Sequence, residues 1–298
     1  ESDVIYNEYK GKIGDIVTGI IQRIEKNHYV VNLGKTDAIM SFKETIPSEN
    51  FRQRDRIKGY VLEVEKNQKG CTIQLSRTHP GFLKRLFELE VPEIQEGIIK
   101  ILAAAREPGE RAKISVYSED PDVDPIGACV GVKGSRVQAV VQELRGGKID
   151  IIPWHKDPAK FVCNTLAPAR VSKVYLNEDE NAMEIIVNDD QLSLAIGKKG
   201  QNVRLASKLT GWKIDISSES ELEKSSKKVI DELMEGLEVS EILARVLHDE
   251  YLRDAFDIAK LSPEELNKIT SISIEDCARI IEKARDLAKK AKKEETTV

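Results

Sequence analysis

Two short stretches of this chain carry the residue types and spacing that could hold an anion. Residues 130–137 read Val-Gly-Val-Lys-Gly-Ser-Arg-Val, and residues 196–203 read Ile-Gly-Lys-Lys-Gly-Gln-Asn-Val. Both follow one frame, apolar-Gly-x-x-Gly-x-x-apolar. A four-residue turn between two helices leaves backbone N–H groups unpaired at the start of the second helix, where the helix dipole also favours negative charge. A phosphate is the natural occupant. Glycine at both ends (Gly131 and Gly134, Gly197 and Gly200) lets a backbone approach without a Cβ in the way. The middle residues point outward: Val132 and Lys133 in the first copy, Lys198 and Lys199 in the second. Ser135 and Arg136, and then Gln201, Asn202 and Arg204, open the following helices and complete the candidate contacts. The competing reading is a plain helix–turn–helix joint. It would weigh equally for one copy without lysine, but two lysine-bearing copies in one chain favour the phosphate.

Other chemistries fail on spacing. A mononucleotide P-loop needs GxxxxGK followed by Ser or Thr, and no GxGxxG is present, so no cofactor is implied. The four cysteines (Cys71, Cys129, Cys163, Cys277) include no CxxC pair, and the four histidines are as scattered, which predicts neither a metal site nor a disulfide framework. No carboxylate pair is placed beside a glycine loop to suggest metal-dependent hydrolysis. No catalytic site is expected.

The elements that must position the loops read clearly. Between Gly11 and Thr78, DIVTGIIQRI, HYVVNLG, DAIMSF, DRIKGYVLEVE and CTIQLS are five short strands, which suits an OB-type β-barrel over 11–78. From His79 the order is helix, two strands, two helices broken at the glycines, and a strand ending at KIDIIPW. The same αββααβ order then recurs, ending at WKIDIS. This internal duplication on matching elements is the arrangement of a type II KH domain, a fold that admits about four splayed bases beside its GxxG loop. The boundaries predicted are 79–154 and 155–217. The second copy begins at Asp157-Pro158, a few residues after the first copy ends, so a rigid tandem is expected. Arg52, Arg54 and Arg77 of the barrel are weaker candidates for phosphate contacts. His28, Tyr29 and Phe42 lie near the barrel face where aromatics would stack on bases, but Asn27, Val30 and Ser41 occupy the positions where such barrels carry stacking residues, so weak stacking is expected.

The remainder, 218–298, reads as wholly helical, with Ser262-Pro263 and Ser273 as helix starts. The net charge of −5 at first argues against a nucleic-acid partner. However, 20 acidic and 14 basic residues lie from Ser218 onward, leaving 31 and 32 before it, so the acidity sits in the tail. The fold class expected is thus multidomain α+β: a five-stranded barrel, two tandem KH domains and a small acidic helical region. The most apolar stretch, 98–105, includes Lys100 and falls short of the ~20 residues a membrane helix needs.

The segments SRTHPGFLKRLFELEVPEIQEG, AAAREPGERAKISV, DPIGACVGVKGSRVQAVVQEL and QLSLAIGKKGQNVRLASKLTGWKIDI, with the module order, resemble the NusA family of bacterial transcription elongation, termination and antitermination factors. The resemblance runs from about Gly11 to Ser217. It implies a cytoplasmic, monomeric protein that binds single-stranded RNA (nascent transcript or ribosomal RNA leader), RNA polymerase and other antitermination factors, with no membrane association. In that family a polymerase-docking domain precedes the barrel, and ten residues stand before Gly11 here. Residues 1–10 are therefore expected to be a linker from a missing N-terminal domain. The segment 257–285 resembles one acidic C-terminal repeat of some family members, similar to a helix-hairpin-helix unit with Thr270-Ser271 in place of the usual glycine. That region is expected either to dock on polymerase, to shield the RNA-binding surface, or simply to form a solvated cap. Phosphorolytic ribonucleases also carry KH and barrel modules, but after a catalytic core and in the reverse order. A ribosomal scaffold would be far more basic.

Overall fold

The structure, a computed structural model, describes residues 1–297. Two compact units emerge, residues 1–216 and 217–298.

The chain opens with α1 (Ser2–Lys10). The segment expected as a linker is thus a packed helix: Ile5, Tyr6 and Tyr9 share one helix face, and Tyr9 is buried with the barrel core. Asp3 pairs with Lys66 at 2.6 Å and Glu8 with Lys35 at 3.0 Å, so the helix is tied to the barrel at both ends. The barrel follows as β1 (Ile16–Ile24), β2 (His28–Asn32), β3 (Asp37–Ser41), β4 (Arg56–Asn67) and β5 (Gly70–Ser76). Its closed order is β1-β2-β3-β5-β4, with β3 and β5 parallel and β4 returning to β1. Alternating residues such as Ile21, Val31, Met40, Val61 and Ile73 fill the interior.

The first αββααβ unit comprises α2 (Pro80–Glu90), the short α3 (Pro92–Gln95), β6 (Ile99–Glu107), β7 (Arg111–Ser118), α4 (Pro125–Val130), α5 (Ser135–Glu143) and β8 (Lys148–Pro153). The second comprises α6 (Pro158–Thr165), β9 (Lys173–Asn177), β10 (Ala182–Val187), α7 (Leu192–Ile196), α8 (Gln201–Thr210) and β11 (Lys213–Ser218). The sheets match: β6-β7-β8 in one, β9-β10-β11 in the other. In the first, β6 and β7 are antiparallel and β7 and β8 parallel, which leaves β8 at the edge beside α4 and α5. The helix starts follow one recipe. Proline occupies the first turn of α2, α4 and α6, and the preceding His79, Asp124 and Asp157 accept a bond from a backbone N–H two residues on.

Two polar knots join the modules. Arg77, 1% exposed, leaves the barrel and meets Glu49 through Nε at 2.8 Å and Glu143 of α5 through Nη1 at 2.9 Å. Burial disfavours its charge, yet the two carboxylates outweigh burial and raise its pKa. Between the KH units, the fully buried Lys113 of β7 donates to Asp150 of β8 at 2.8 Å and to the carbonyl of Thr165 in α6 at 2.8 Å. Beside it, Ala105 and Ile152 of the first unit pack with Phe161, Leu205 and Leu209 of the second. The tandem is one packed body, as the short connection predicts.

The second unit contains α9 (Glu219–Leu237), α10 (Glu241–Asp249), α11 (Ala255–Ala259), α12 (Pro263–Thr270) and α13 (Ile274–Thr296). Ser218 and Ser262 form capping boxes, and Ser240 and Ser273 also cap their helices. Leu233, Leu247, Leu266 and Ile281 centre its own core. Ser271 takes the left-handed conformation (φ 60°) at the end of α12, where the related hairpin would use glycine. No helix among the described residues is long and apolar enough to cross a membrane.

Two stability predictions follow from the junction of barrel and first KH unit. Replacing Arg77 by Ala strands the 0%-exposed Glu49 side chain without its main cation. Chemical denaturation is expected to show a loss of about 3–5 kcal/mol, and a loss under about 1 kcal/mol would mean the knot is not structural. His79 is a pH-sensitive cap. Its Nδ1 accepts the Gly81 N–H at 2.9 Å, and burial, opposed by Glu44 and aided by smaller effects from Arg106 and Lys84, lowers its pKa from the ordinary 6.5. A histidine depressed on folding binds fewer protons than in the unfolded chain, so its contribution is complete above about pH 6.5 and declines as pH falls through the folded value. His79→Asn keeps a capping side chain without the titration. Between pH 7.5 and 5.5 the variant should lose less stability than the parent, and parallel losses would refute the assignment.

Candidate nucleic-acid interface

Each glycine loop is a 3-10 turn set between two helices, and the two copies superpose in backbone angles. Gly131 has φ 78° and ψ 174°, and Gly197 has φ 78° and ψ 170°. Lys133 (53°, 28°) and Lys199 (54°, 28°) both adopt the left-handed region, as do Gly134 (76°, 15°) and Gly200 (73°, 14°). The first glycine is needed for space as well as angle. A Cβ on Gly131 would lie 2.9 Å from the Arg136 backbone nitrogen, and one on Gly197 would lie 2.8 Å from that of Asn202. Because Gly134 and Gly200 are the N-caps of α5 and α8, neither helix start has a side-chain cap among the described residues. Both present an uncapped, partly positive terminus to a ligand.

The tips are exposed. Val132 is 82% exposed, and Lys133, Ser135, Lys198 and Lys199 also face solvent. The remaining candidates are committed elsewhere. Arg136 donates to the carbonyl of Ala128 at 2.7 Å and pairs with Glu93 of α3 at 2.9 Å. Asn202, expected as a contact, is fully buried: its amide donates to the carbonyl of Ala195 at 2.9 Å and of Leu166 at 3.2 Å. These two residues occupy equivalent places in the duplication and do the same work, satisfying carbonyls before the turn so that its shape holds. Both support the turn, and the buried Asn202 has no surface left for a contact. Gln201 donates to Glu107 at 2.6 Å and Glu110 at 3.0 Å, and Arg204 pairs with Glu107 and donates to the carbonyl of Lys199 at 2.9 Å. The bond from Arg204 is the largest influence lowering the Glu107 pKa, against some burial.

Beside the first loop runs a groove of about 640 Å3. Ile126, Val130 and Val137 form one wall and β8 forms the floor, while Cys163, Asn164 and Pro168 of the second KH unit form the other wall. The groove is therefore built by both units. At its floor Asp150 lies among three cations: Arg111 at 2.8 Å, Lys113 at 2.8 Å and Lys148 at 3.9 Å. Burial, partly offset by Asp150, lowers the pKa of Lys113.

The barrel residues divide. Arg77 is corrected from a phosphate contact to the buried knot described above. Arg52 and Arg54 are exposed on the turn before β4. Close to them in sequence, Arg56 lines a cleft of about 300 Å3 with Arg145, which lies over Phe51 at 5.8 Å. Sequence reasoning passed over both: Arg56 could have been found from its place two residues after Arg54, whereas Arg145 reaches the cleft from beyond the end of α5, where no local pattern marks it. Tyr29 is buried in the barrel core, edge-on to Phe42 at 4.9 Å, while Phe42 is 39% exposed.

Comparison with known proteins gives one answer along the chain. Residues 77–154 match the NusA-like first KH domain and residues 158–224 the NusA-like second KH domain. The protein named "Transcription termination/antitermination protein NusA" from Halalkalibacterium halodurans is 57% identical over 221 residues, 74% of this chain and 58% of that relative. That from Bacillus subtilis is 56% identical over 221 residues, 74% of this chain and 60% of the relative. The Rickettsia prowazekii protein of the same name is 42% identical over 282 residues, 91% of this chain and 55% of the relative. The chain thus spans between 55% and 60% of the length of these relatives. With two adjacent domain matches in the family's own order and relatives of one name along most of its length, the chain belongs to the NusA family.

Proposed function

We propose that this chain binds single-stranded RNA in the cytoplasm, without catalysing a reaction, and that it does so as the RNA-holding part of a transcription factor acting on nascent transcript. The observation that carries the reading is the pair of superposable glycine turns, each an uncapped helix start with exposed lysine at its tip, one in the first copy and two in the second. A phosphate can approach the backbone there, and the apolar groove beside the first loop can take splayed bases. Both the groove and the turns suit a single strand, whose bases are not stacked into a duplex.

Modulation of pausing, termination and antitermination, and association with RNA polymerase and other antitermination factors, extend the same proposal on the strength of the relatives' shared name. The RNA contacts proposed are Gly131, Val132, Lys133, Gly134 and Ser135 in the first loop, and Gly197, Lys198, Lys199 and Gly200 in the second. Arg52 and Arg54 add weaker ones.

Salt-dependent titration tests this directly. The chain should prefer single-stranded over double-stranded RNA, with log affinity falling linearly in log salt. Changing Lys198 and Lys199 to Asp should weaken binding more than changing Lys133, and should flatten the salt slope by about 1.4, given about 0.7 per lost contact on a single strand. Equal losses from the two loops would refute the asymmetry, and absence of RNA binding by the parent would refute the function.

A further inference from the structure

Both tryptophans of the chain line one cavity. It lies between the two KH units, has a volume of about 230 Å3, and is separate from the groove beside the first loop. Trp154 follows β8, the last strand of the first unit, and Trp212 stands between α8 and β11 of the second, so each unit supplies one indole. Trp154 is 39% exposed and stands edge-on to Tyr117 at 5.6 Å. Phe161 of α6 adds a third aromatic wall.

The polar groups at this cavity are few and unequal. Ser115, on the central strand β7 between Ala103 and Ile152, is 0% exposed, and its Oγ has no hydrogen-bond partner. A buried hydroxyl without a partner costs free energy, and here it borders a void. At the rim stands the exposed Lys156, with His155 beside it, whose Nδ1 already accepts the Asp157 N–H at 2.9 Å.

We propose that this cavity binds one nucleotide, with its base against the indoles and above the Ser115 hydroxyl and its phosphate toward Lys156. The size selects a small planar group, being below the ~300 Å3 at which sites for drug-sized ligands begin. Indole faces favour stacking by any base, and one hydroxyl on the floor gives a base edge something to bond. Chemistry favours a nucleotide over a peptide aromatic: the lining joins two indoles to the exposed Lys156, a stacking surface beside a cation. The site goes beyond the glycine loops and does not depend on them.

Tryptophan fluorescence reports on this cavity alone, since the chain has no other indole. Adenosine 5′-monophosphate, with excitation at the red edge of the indole band, should quench saturably with half-saturation at or below about 1 mM. Adenosine should also quench saturably, and inorganic phosphate should not. The triple variant Lys133→Asp, Lys198→Asp, Lys199→Asp should respond as the parent does, which separates this site from the loops. Lys156→Glu, an exposed change, should raise the half-saturation for the monophosphate about fivefold and leave adenosine within about twofold. Linear, collisional quenching by the monophosphate would overturn the proposal. So would quenching by phosphate alone, or loss of the response in the loop variant.

Discussion

The arrangement of the first 216 residues turns on one side chain. A guanidinium offers five N–H donors in a fixed fork, and Arg77 places all of them. Nε bonds Glu49, Nη1 bonds the Lys58 carbonyl and Glu143, and Nη2 bonds Glu49 and the Glu143 carbonyl. Three of these acceptors come from elements 28 or more residues away in the barrel or at the far end of α5. A planar donor set met from several sides allows little rotation, so the barrel is fixed against the helix whose other end begins at Gly134. Lysine could not do this, because its ammonium is a point charge with three donors. The neighbouring Arg106 donates to the Arg77 carbonyl at 2.8 Å, and its pKa is lowered to about 10, first by burial and then by the Arg77 charge. It remains protonated at neutral pH and completes the joint.

The second joint follows the same logic with weaker means. Lys113 cannot reach water, so its donors need acceptors within the fold, and Asp150 and the Thr165 carbonyl supply two of them from two different domains. Breaking the tandem would leave a buried ammonium short of partners. The consequence for function is geometric. Since α6 supplies one wall of the groove beside the first loop, the first KH unit has its complete groove only with the second docked on it. The duplication is therefore more than two sites in series.

Much of this was legible in the sequence, and the exceptions share one cause. The period-two runs in the barrel, the repeated αββααβ order and the glycine frames all express local rules, and each appears where spacing predicts it. Lys133 and Lys199 even take the left-handed angles that a reader would reserve for glycine. The misreadings concern charged or polar side chains near the loops. Arg77 looks like a phosphate ligand because it is a cation at the end of a barrel strand, yet it is buried against Glu49, 28 residues away in sequence. Arg136 and Arg204 also pair with carboxylates, at separations of 43 and 97 residues, which no local pattern displays. Asn202 fails for a related reason, since the carbonyls it satisfies become unpaired only once the turn is folded. Helix α1 was missed because its short apolar face of Ile5, Tyr6 and Tyr9 has meaning only against the barrel.

The two supports also explain why loops with one backbone differ in charge. In the first copy the carbonyl before the turn is satisfied by Arg136, a cation that needs Glu93 beside it, so the support is neutral as a pair and leaves Lys133 as the uncompensated charge at the tip. In the second copy a neutral amide, Asn202, does the same work from inside the core and needs no counter-charge. The outward positions are then free to carry Lys198 and Lys199 together, while Arg204 is balanced by Glu107. Two like charges on adjacent residues repel, and the arrangement is tolerable because both are solvated and screened. On the function proposed above, a phosphate would relieve that repulsion as well as fill the helix terminus, and the second loop would gain more from the same anion than the first. The duplication thus preserved the turn and varied both its support and its tip, Val132 in one copy standing where Lys198 stands in the other.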